Sequence, residues 1–154
     1  MNRVFLIVSI LIPILFTGCV EDQMAAQRAA LAQSIAAEQP GNYYIGRRMY
    51  RRSFFFWGYV RRPQEPWSSA QLVMLNEQKV LAPDRQANAI GSDNNAEYRL
   101  KGYFSGETVY EPASNRFYPE FVLTGYQVIS ANPPPIFSSP NAMDPNSLYI
   151  DRPE

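Results

Sequence analysis

The sequence predicts an all-β protein, a small barrel or sandwich preceded by a short helical spacer and followed by a proline-rich tail. Between residues 42 and 132, aromatic and branched side chains come in short runs separated by turn-forming residues. No helical period of useful length interrupts these runs. The 13 prolines of the 154-residue chain gather mainly near Pro63 and from Pro133 onward. Several short strands at this spacing need closure or stacking to cover one core.

The first element is a short apolar segment after a positively charged start. Arg3 precedes an uncharged, mostly apolar run of 13 residues from Val4 to Phe16. A helix needs about 20 apolar residues to cross a bilayer, so this run fits the core of a signal peptide better than a permanent span. It leads directly into Thr17-Gly18-Cys19, which contains the only cysteine of the sequence.

This stretch resembles the signal peptide of bacterial lipoproteins, whose lipobox places an aliphatic residue and two small residues before a cysteine. Residues 15–19 match in the small residues and the cysteine, with Phe16 where leucine is usual. The resemblance covers residues 1–19 alone. It implies a signal peptide over residues 1–18, cleavage before Cys19, and palmitate-type acyl chains on its sulfur as a membrane anchor. An ordinary secretory signal with a fortuitous cysteine, or a buried N-terminal helix, is the alternative.

The residue after the cysteine bears on location. Well-studied Gram-negative lipoproteins with aspartate at that place stay in the inner membrane, whereas this chain has Val20. The resemblance therefore implies a bacterial cell-envelope protein, anchored in the outer membrane and facing the periplasm.

Residues 19–41 form the lipidated N-terminus and an alanine-rich spacer, predicted to be helical from Glu21 to Gln39. Seven alanines lie between Met24 and Ala37, Asp22 can cap the helix start, and Pro40-Gly41 can end it. The larger apolar residues make only a narrow stripe, which is typical of a spacer. A short coiled-coil or partner-binding helix is the alternative.

Residues 42–132 form the predicted β-domain. Its strands are expected at Asn42 to Tyr50, Ser53 to Val60, Gln71 to Leu75, Lys79 to Leu81, Glu97 to Phe104, Thr108 to Tyr110 and Phe117 to Ile129. Alternation in the fifth segment predicts a half-buried strand with Tyr98, Leu100 and Phe104 on one face. Two long hairpins joined by an irregular connection are similar in order to OB-fold-like barrels, although the mature domain carries no family motif. Residues 133–154 are the extended, proline-rich tail.

Composition argues against an enzyme or a metalloprotein. The chain has no histidine, which removes the commonest general base and metal ligand at neutral pH. A single cysteine excludes an intrachain disulfide and a thiolate zinc cluster. No paired carboxylates or activated hydroxyl can be recognised, so no catalytic residue, metal or cofactor is predicted. The formal net charge of zero does not indicate what kind of partner the protein binds.

The most distinctive mature feature is the arginine–aromatic segment, residues 46–62. Six arginines and no acidic residue occur between Glu38 and Glu65. Guanidinium groups bind phosphate and carboxylate bidentately, and flat rings stack or sit at membrane interfaces. The candidate binding residues are Arg47, Arg48, Arg51, Arg52, Trp57, Tyr59, Arg61 and Arg62.

Three interpretations of this segment remain open. It contacts the envelope surface or a polyanion such as lipopolysaccharide, or it binds nucleic acid. Alternatively, its aromatic residues form the barrel core while the arginines lie on the exterior and pair with Glu65, Glu97 or Glu120. A periplasmic lipoprotein seldom meets nucleic acid, so that partner is not expected.

These observations predict a non-enzymatic, membrane-anchored envelope lipoprotein whose β-domain binds an envelope protein or polymer. The alternative is a structural subunit of a larger outer-membrane assembly, with a purely structural arginine–aromatic segment. In that case the C-terminal tail would add to the sheet edge of a neighbour.

Overall fold

The computed structural model describes residues 17–54 and 57–154, with side chains described from residue 23 onward. The predicted signal segment up to Phe16 and the side chain of Cys19 lie outside the described residues, as do Phe55 and Phe56. The elements are, in chain order, helix α1 (Thr17–Ala36), strands β1 (Tyr44–Arg48), β2 (Gly58–Arg61) and β3 (Gln71–Asn76), helix α2 (Pro83–Gln86), and strands β4 (Glu97–Glu111) and β5 (Arg116–Ser130). A 3₁₀ turn, Trp67–Ser69, precedes β3.

The five strands close into a barrel in the order β1-β2-β3-β5-β4. Strands β3 and β5 pair in parallel, and the other neighbours pair antiparallel. The predicted all-β fold is therefore confirmed, as a barrel and not as a sandwich. Its strand order is the Greek-key order of OB-type barrels.

The barrel interior is filled by an apolar inner core with contributions from all five strands. Its buried members are Tyr44, Trp57, Val60, Val73, Ala82, Ala96, Tyr98, Leu100, Phe121 and Leu123. In β4, Tyr98 and Leu100 are buried and Phe104 packs against the core, while Arg99, Lys101 and Tyr103 are exposed. The alternation predicted for this strand is confirmed. Aromatic edges meet faces inside the barrel, with the rings of Tyr44 and Phe121 5.0 Å apart.

A second apolar cluster lies on the outer face of β1, β2 and β3. Because side chains alternate along a strand, Ile45 and Tyr59 point away from the inner core and join Trp67 and Ile136 in this outer cluster. Helix α1 covers part of it through Leu31, which is half-buried, although the narrow apolar stripe had indicated only a spacer.

The C-terminal tail covers the rest of the outer face. It has neither helix nor strand, yet it is fastened at several points. The Tyr59 hydroxyl donates to the carbonyl of Asp151 at 2.6 Å, and Arg47 donates to the carbonyl of Pro134 at 3.0 Å. The Glu154 N–H donates to the carbonyl of Ile136 at 2.9 Å. The tail thus occupies the face of its own barrel.

Several predicted element limits are wrong. Helix α1 begins at Thr17, so Asp22 lies inside the helix and cannot cap its start. The predicted strand Lys79 to Leu81 is absent. A bend there leads into the single turn of α2, and the Glu77 carboxylate accepts the Ala82 N–H at 2.9 Å.

Two segments that were predicted as separate strands form one continuous strand. Residues 97–104 and Thr108 to Tyr110 both belong to β4, because each pairs with β5 across an irregularity between Phe104 and Thr108. The resulting hairpin runs well beyond the barrel wall. At the start of the domain, β1 and β2 are shorter than predicted, since β1 ends at Arg48 and β2 begins at Gly58.

Candidate anion-binding site

Two arginines of the arginine–aromatic segment lie over one indole ring on the outer face of the barrel. The guanidinium carbons of Arg47 and Arg61 lie 5.2 and 4.4 Å from the ring centroid of Trp67. Arg47 pairs with Glu97 at 2.8 Å, and Arg61 makes a two-oxygen pair with Glu38, the shorter contact being 2.5 Å. This arrangement fastens the end of the α1 spacer and the start of the tail to the barrel.

Arg48 is the centre of a buried ion-pair network at one end of the barrel. Its guanidinium donates to Asp84 at 2.6 Å and to Asp93 at 3.1 Å, and it also reaches the carbonyl of Trp57 at 2.9 Å. Burial alone would raise the pKa of Asp84, but hydrogen bonds from the Gly91 N–H and Arg48 hold it below its ordinary value. Burial raises the pKa of the Asp93 carboxyl.

The two aromatic candidates are also internal. Trp57 belongs to the inner core, where its indole is buried. Tyr59 is buried against the tail, and burial, reinforced by the charge of Asp151, raises its pKa to about 12. Neither ring offers a stacking face to a ligand.

The structural interpretation of the arginines needs a correction in its details. Glu97 is an ion-pair partner as expected, whereas Glu65 accepts the backbone N–H of Arg62 and Glu120 accepts the Asn76 amide. Arg47, Arg48, Arg51 and Arg61 are buried and do not lie on an open exterior. Arg47 and Arg51 are covered by the tail, and Arg61 by the segment that follows α1. Arg48 is enclosed by the connection before β4.

Arg51 and Arg52, together with Arg48 and Arg85, line an open cavity of about 340 Å³ at the end of the barrel where β1 ends and β2 begins. We call it the arginine cavity. Its lining residues are Arg48, Tyr50, Arg51, Arg52, Phe54, Arg85 and Ile90. Its four arginines meet three carboxylates in ion pairs: Asp84 and Asp93 on Arg48, and Glu77 on Arg85 at 3.2 Å.

Arg51 is the unusual member of this lining. Its side chain is 1% exposed, yet among the described residues no carboxylate lies within ion-pair distance of it. It donates to the carbonyls of Tyr50 and Ala142, while its Nε has no hydrogen-bond partner in the part of the chain described. Burial lowers the pKa of Arg51, and the more distant charges of Asp151 and Asp144 oppose this effect.

Arg52 and Arg62 are the exposed members of the candidate set. Arg62 lies over the ring of Tyr44 at 3.9 Å, at the other end of β1. Arg52 anchors the tail through its backbone N–H, which donates to the carbonyl of Pro145 at 3.0 Å, and its side chain lines the arginine cavity. Arg52 therefore reaches the cavity from an exposed position, and Arg51 is a buried positive charge in its wall, an arrangement suited to a phosphate or carboxylate.

An apolar groove and an exposed aromatic pair also lie on the surface. An apolar groove of about 270 Å³ runs between α1 and the tail, with Leu31 and Phe137 on its walls. The hairpin of β4 and β5 ends in an exposed aromatic pair, Tyr110 and Phe117, with ring centroids 5.3 Å apart.

Comparison of the chain with models of known families, with curated proteins and with solved structures gives no match. Within the described residues, no helix is long and apolar enough to cross a membrane. In the same part of the chain, no group of three metal-binding side chains comes together.

Sequence reasoning missed the partners that the fold brings to the arginines. Asp84, Arg85 and Ile90 lie in the connection that looked merely irregular, and Ala142 lies in the tail. The one available signal was charge balance, because six arginines without a local acid need carboxylates from elsewhere in the chain.

Proposed function

We propose that this chain is a membrane-anchored lipoprotein of the bacterial envelope, and that its barrel domain binds an acidic envelope protein or polymer in the arginine cavity. The proposed protein is not an enzyme. Acyl chains on Cys19 attach it to the outer membrane, and α1 joins this anchor to the barrel. The anchor half of the proposal rests on the lipobox-like stretch at residues 15–19.

The binding half rests on Arg51. Keeping a cation buried without a contacting carboxylate is costly, since burial removes its hydration and carbonyl groups compensate only in part. An anionic group that entered the cavity would supply the missing counter-charge. Arg52, at the open side, would add a second donor fork.

The size and exposure of the cavity favour a group carried on a larger molecule. A volume of about 340 Å³ holds an acidic group together with its neighbours in a chain. The walls provided by Tyr50 and Phe54 give such a chain apolar surface beside the charges.

The anchor is tested by labelling cells with radioactive palmitate. The parent protein should take up the label and the Cys19→Ala variant should not. Label on Cys19→Ala, or none on the parent, would contradict the anchor.

The cavity is tested by affinity capture of envelope components with the Arg52→Gln variant. Losing one charge-assisted hydrogen bond of about 1.5 kcal/mol should weaken capture roughly tenfold. Added salt should have the same effect, because the interaction is ionic. Arg116→Gln, an exposed arginine on the hairpin, is the matched control and should capture as the parent does. Equal capture by the parent and by Arg52→Gln would refute the site.

A second candidate function is that of a structural subunit in a larger outer-membrane assembly. The exposed Tyr110 and Phe117 pair favours it, because Phe117 is 67% exposed at the tip of a hairpin. Replacing both rings with serine should then release a protein partner while leaving capture through Arg52 unchanged.

A further inference from the structure

The arginine cavity and the N-terminal half of α1 lie at the same end of the barrel. A groove beside α1 is lined jointly by Met24, Gln27, Asn95, Ala142 and Met143. The same stretch of tail borders the cavity, because Arg51 donates to the carbonyl of Ala142 and the Arg52 N–H donates to that of Pro145.

The far end of α1 lies at the opposite end of the barrel. Glu38, just beyond the helix, pairs with Arg61 at the end of β2, whereas β2 begins with Gly58, which pairs with Arg48 beside the cavity. Helix α1 therefore runs along the barrel, starting near the cavity and ending away from it.

This direction determines which end of the domain meets the membrane. Cys19 lies five residues before Met24 within α1, a rise of roughly 8 Å at about 1.5 Å per residue. An acylated Cys19 would hold that end of the barrel close to the lipid headgroups. The hairpin tip lies at the other end, since β4 starts beside β1 at Glu97 and continues to Glu111.

We infer that the arginine cavity docks onto the membrane that holds the anchor and binds the phosphate groups of anionic lipids. This inference rests on the proposed lipid anchor. It assigns the arginine cavity to lipid phosphates in place of the acidic protein or polymer of the proposed function. The rim of the arginine cavity suits a membrane–water interface, because it combines a cation with apolar and aromatic side chains. Arg85 is half exposed, Ile90 is 71% exposed, and Tyr50 is partly buried. Several acyl chains already make attachment durable, so the cavity sets the orientation of the barrel and adds little to retention.

The experiment uses the acylated protein, reconstituted into phosphatidylcholine vesicles with and without phosphatidylglycerol. With the Cys19 sulfur acylated, one introduced cysteine carries an environment-sensitive fluorophore. Ala87→Cys places it beside the cavity and Ala113→Cys places it at the hairpin tip, and both positions are exposed. Spin-labelled lipids report contact with the membrane by quenching.

The inference predicts strong quenching at position 87 in phosphatidylglycerol vesicles and none at position 113. The two sites are separated by most of β4, whose 15 residues span up to roughly 45 Å at about 3.3 Å per residue. Replacing Arg52 and Arg85 together with glutamine should abolish quenching at position 87, while Arg116→Gln should leave it intact. Omitting phosphatidylglycerol should also abolish it.

The outcomes separate the two proposals. If the protein fails to float with the vesicles, the anchor itself is refuted. If it floats and position 87 is quenched no more than position 113, the anchor stands and the docking inference is wrong, as expected for a cavity that serves a soluble acidic polymer. Quenching at position 87 that persists in the double variant or without phosphatidylglycerol would also overturn the inference, because the arginines would not be binding headgroups.

Discussion

Replacing Asp84 with asparagine should break the ion-pair network that supports the arginine cavity. Asp84 is 1% exposed and accepts three hydrogen bonds: from Arg48 at 2.6 Å, and from the N–H groups of Arg85 and Gly91 at 2.9 Å each. Asparagine keeps the shape and one acceptor oxygen but removes the negative charge. The substitution therefore removes the charge and turns one acceptor oxygen into an NH2 group that faces a former donor.

The expected loss of unfolding free energy depends on the partners that Arg48 keeps. Removing one partner of a buried ion pair costs about 3 to 5 kcal/mol, because the other charge stays buried without compensation. Arg48 still keeps Asp93 and the carbonyls of Met49 and Trp57. We therefore expect the lower end of that range, a decrease of about 3 kcal/mol in the free energy of unfolding at pH 7.

The pH dependence gives an independent check. Because the folded-state pKa of Asp84 lies below its ordinary value of 3.8, its charge stabilises the fold above that pH. The contribution is lost as the pH falls through the lower folded-state pKa. Burial raises the pKa of Asp93 and the charge of Asp84 adds to this effect, so Asp84→Asn also shifts the titration of Asp93. The stability difference between parent and Asp84→Asn should be constant near neutrality and shrink below pH 3.8.

Urea unfolding followed by tryptophan fluorescence measures this difference, because Trp57 and Trp67 are both buried in the fold. Glu107→Gln is the matched control. Glu107 is exposed in β4, and its substitution should change stability by less than about 0.5 kcal/mol. A cost below about 1 kcal/mol for Asp84→Asn, or a difference that does not shrink in acid, would refute the reasoning.

Three further predictions concern the barrel and its cover. Glu38→Gln should lower the unfolding free energy by about 2 to 3 kcal/mol in urea titrations, because Arg61 is buried, and a change under 0.5 kcal/mol would contradict this. Gly58→Ala should lower the free energy of unfolding by about 3 kcal/mol, since the new Cβ would lie 2.1 Å from the Arg47 carbonyl oxygen. The control is Gly125→Ala, whose Cβ would make only ordinary contacts. Equal unfolding free energies for the two variants would contradict the packing. In NMR titration of ¹³C-labelled tyrosine, Tyr59 should stay neutral at pH 10, since its pKa is about 12; half-ionisation there would disprove its burial.

Local pattern was sufficient to predict the all-β class, although it left the barrel and the sandwich as alternatives. The alternation of apolar and polar residues around Tyr98 and Leu100 indicates that one face of the strand is turned inward. This pattern depends only on residues that are neighbours along the strand. The join of residues 97–104 to Thr108 was missed, because continuity there comes from pairing with β5 and not from the local sequence. Strand ends around residues 49–57 were missed for the same reason.

The site was only partly predictable. The sequence identifies Arg51 and Arg52 as chemically suited to anions, but burial and ion pairing depend on residues far along the chain. Arg61 finds Glu38 in the spacer, and Arg48 finds Asp84 in the connection before β4. Covering of the outer face by the tail could not be predicted, because its proline-rich composition is typical of disorder as well as of docked irregular chain.

Mass spectrometry of the mature protein purified from membranes tests the central claim most directly. We predict an N-terminal peptide that begins at Cys19 and carries the mass of acyl chains on that residue. A chain that still begins at Met1, or a Cys19 with an unmodified thiol, would contradict the lipid anchor and with it the orientation of the barrel at the membrane.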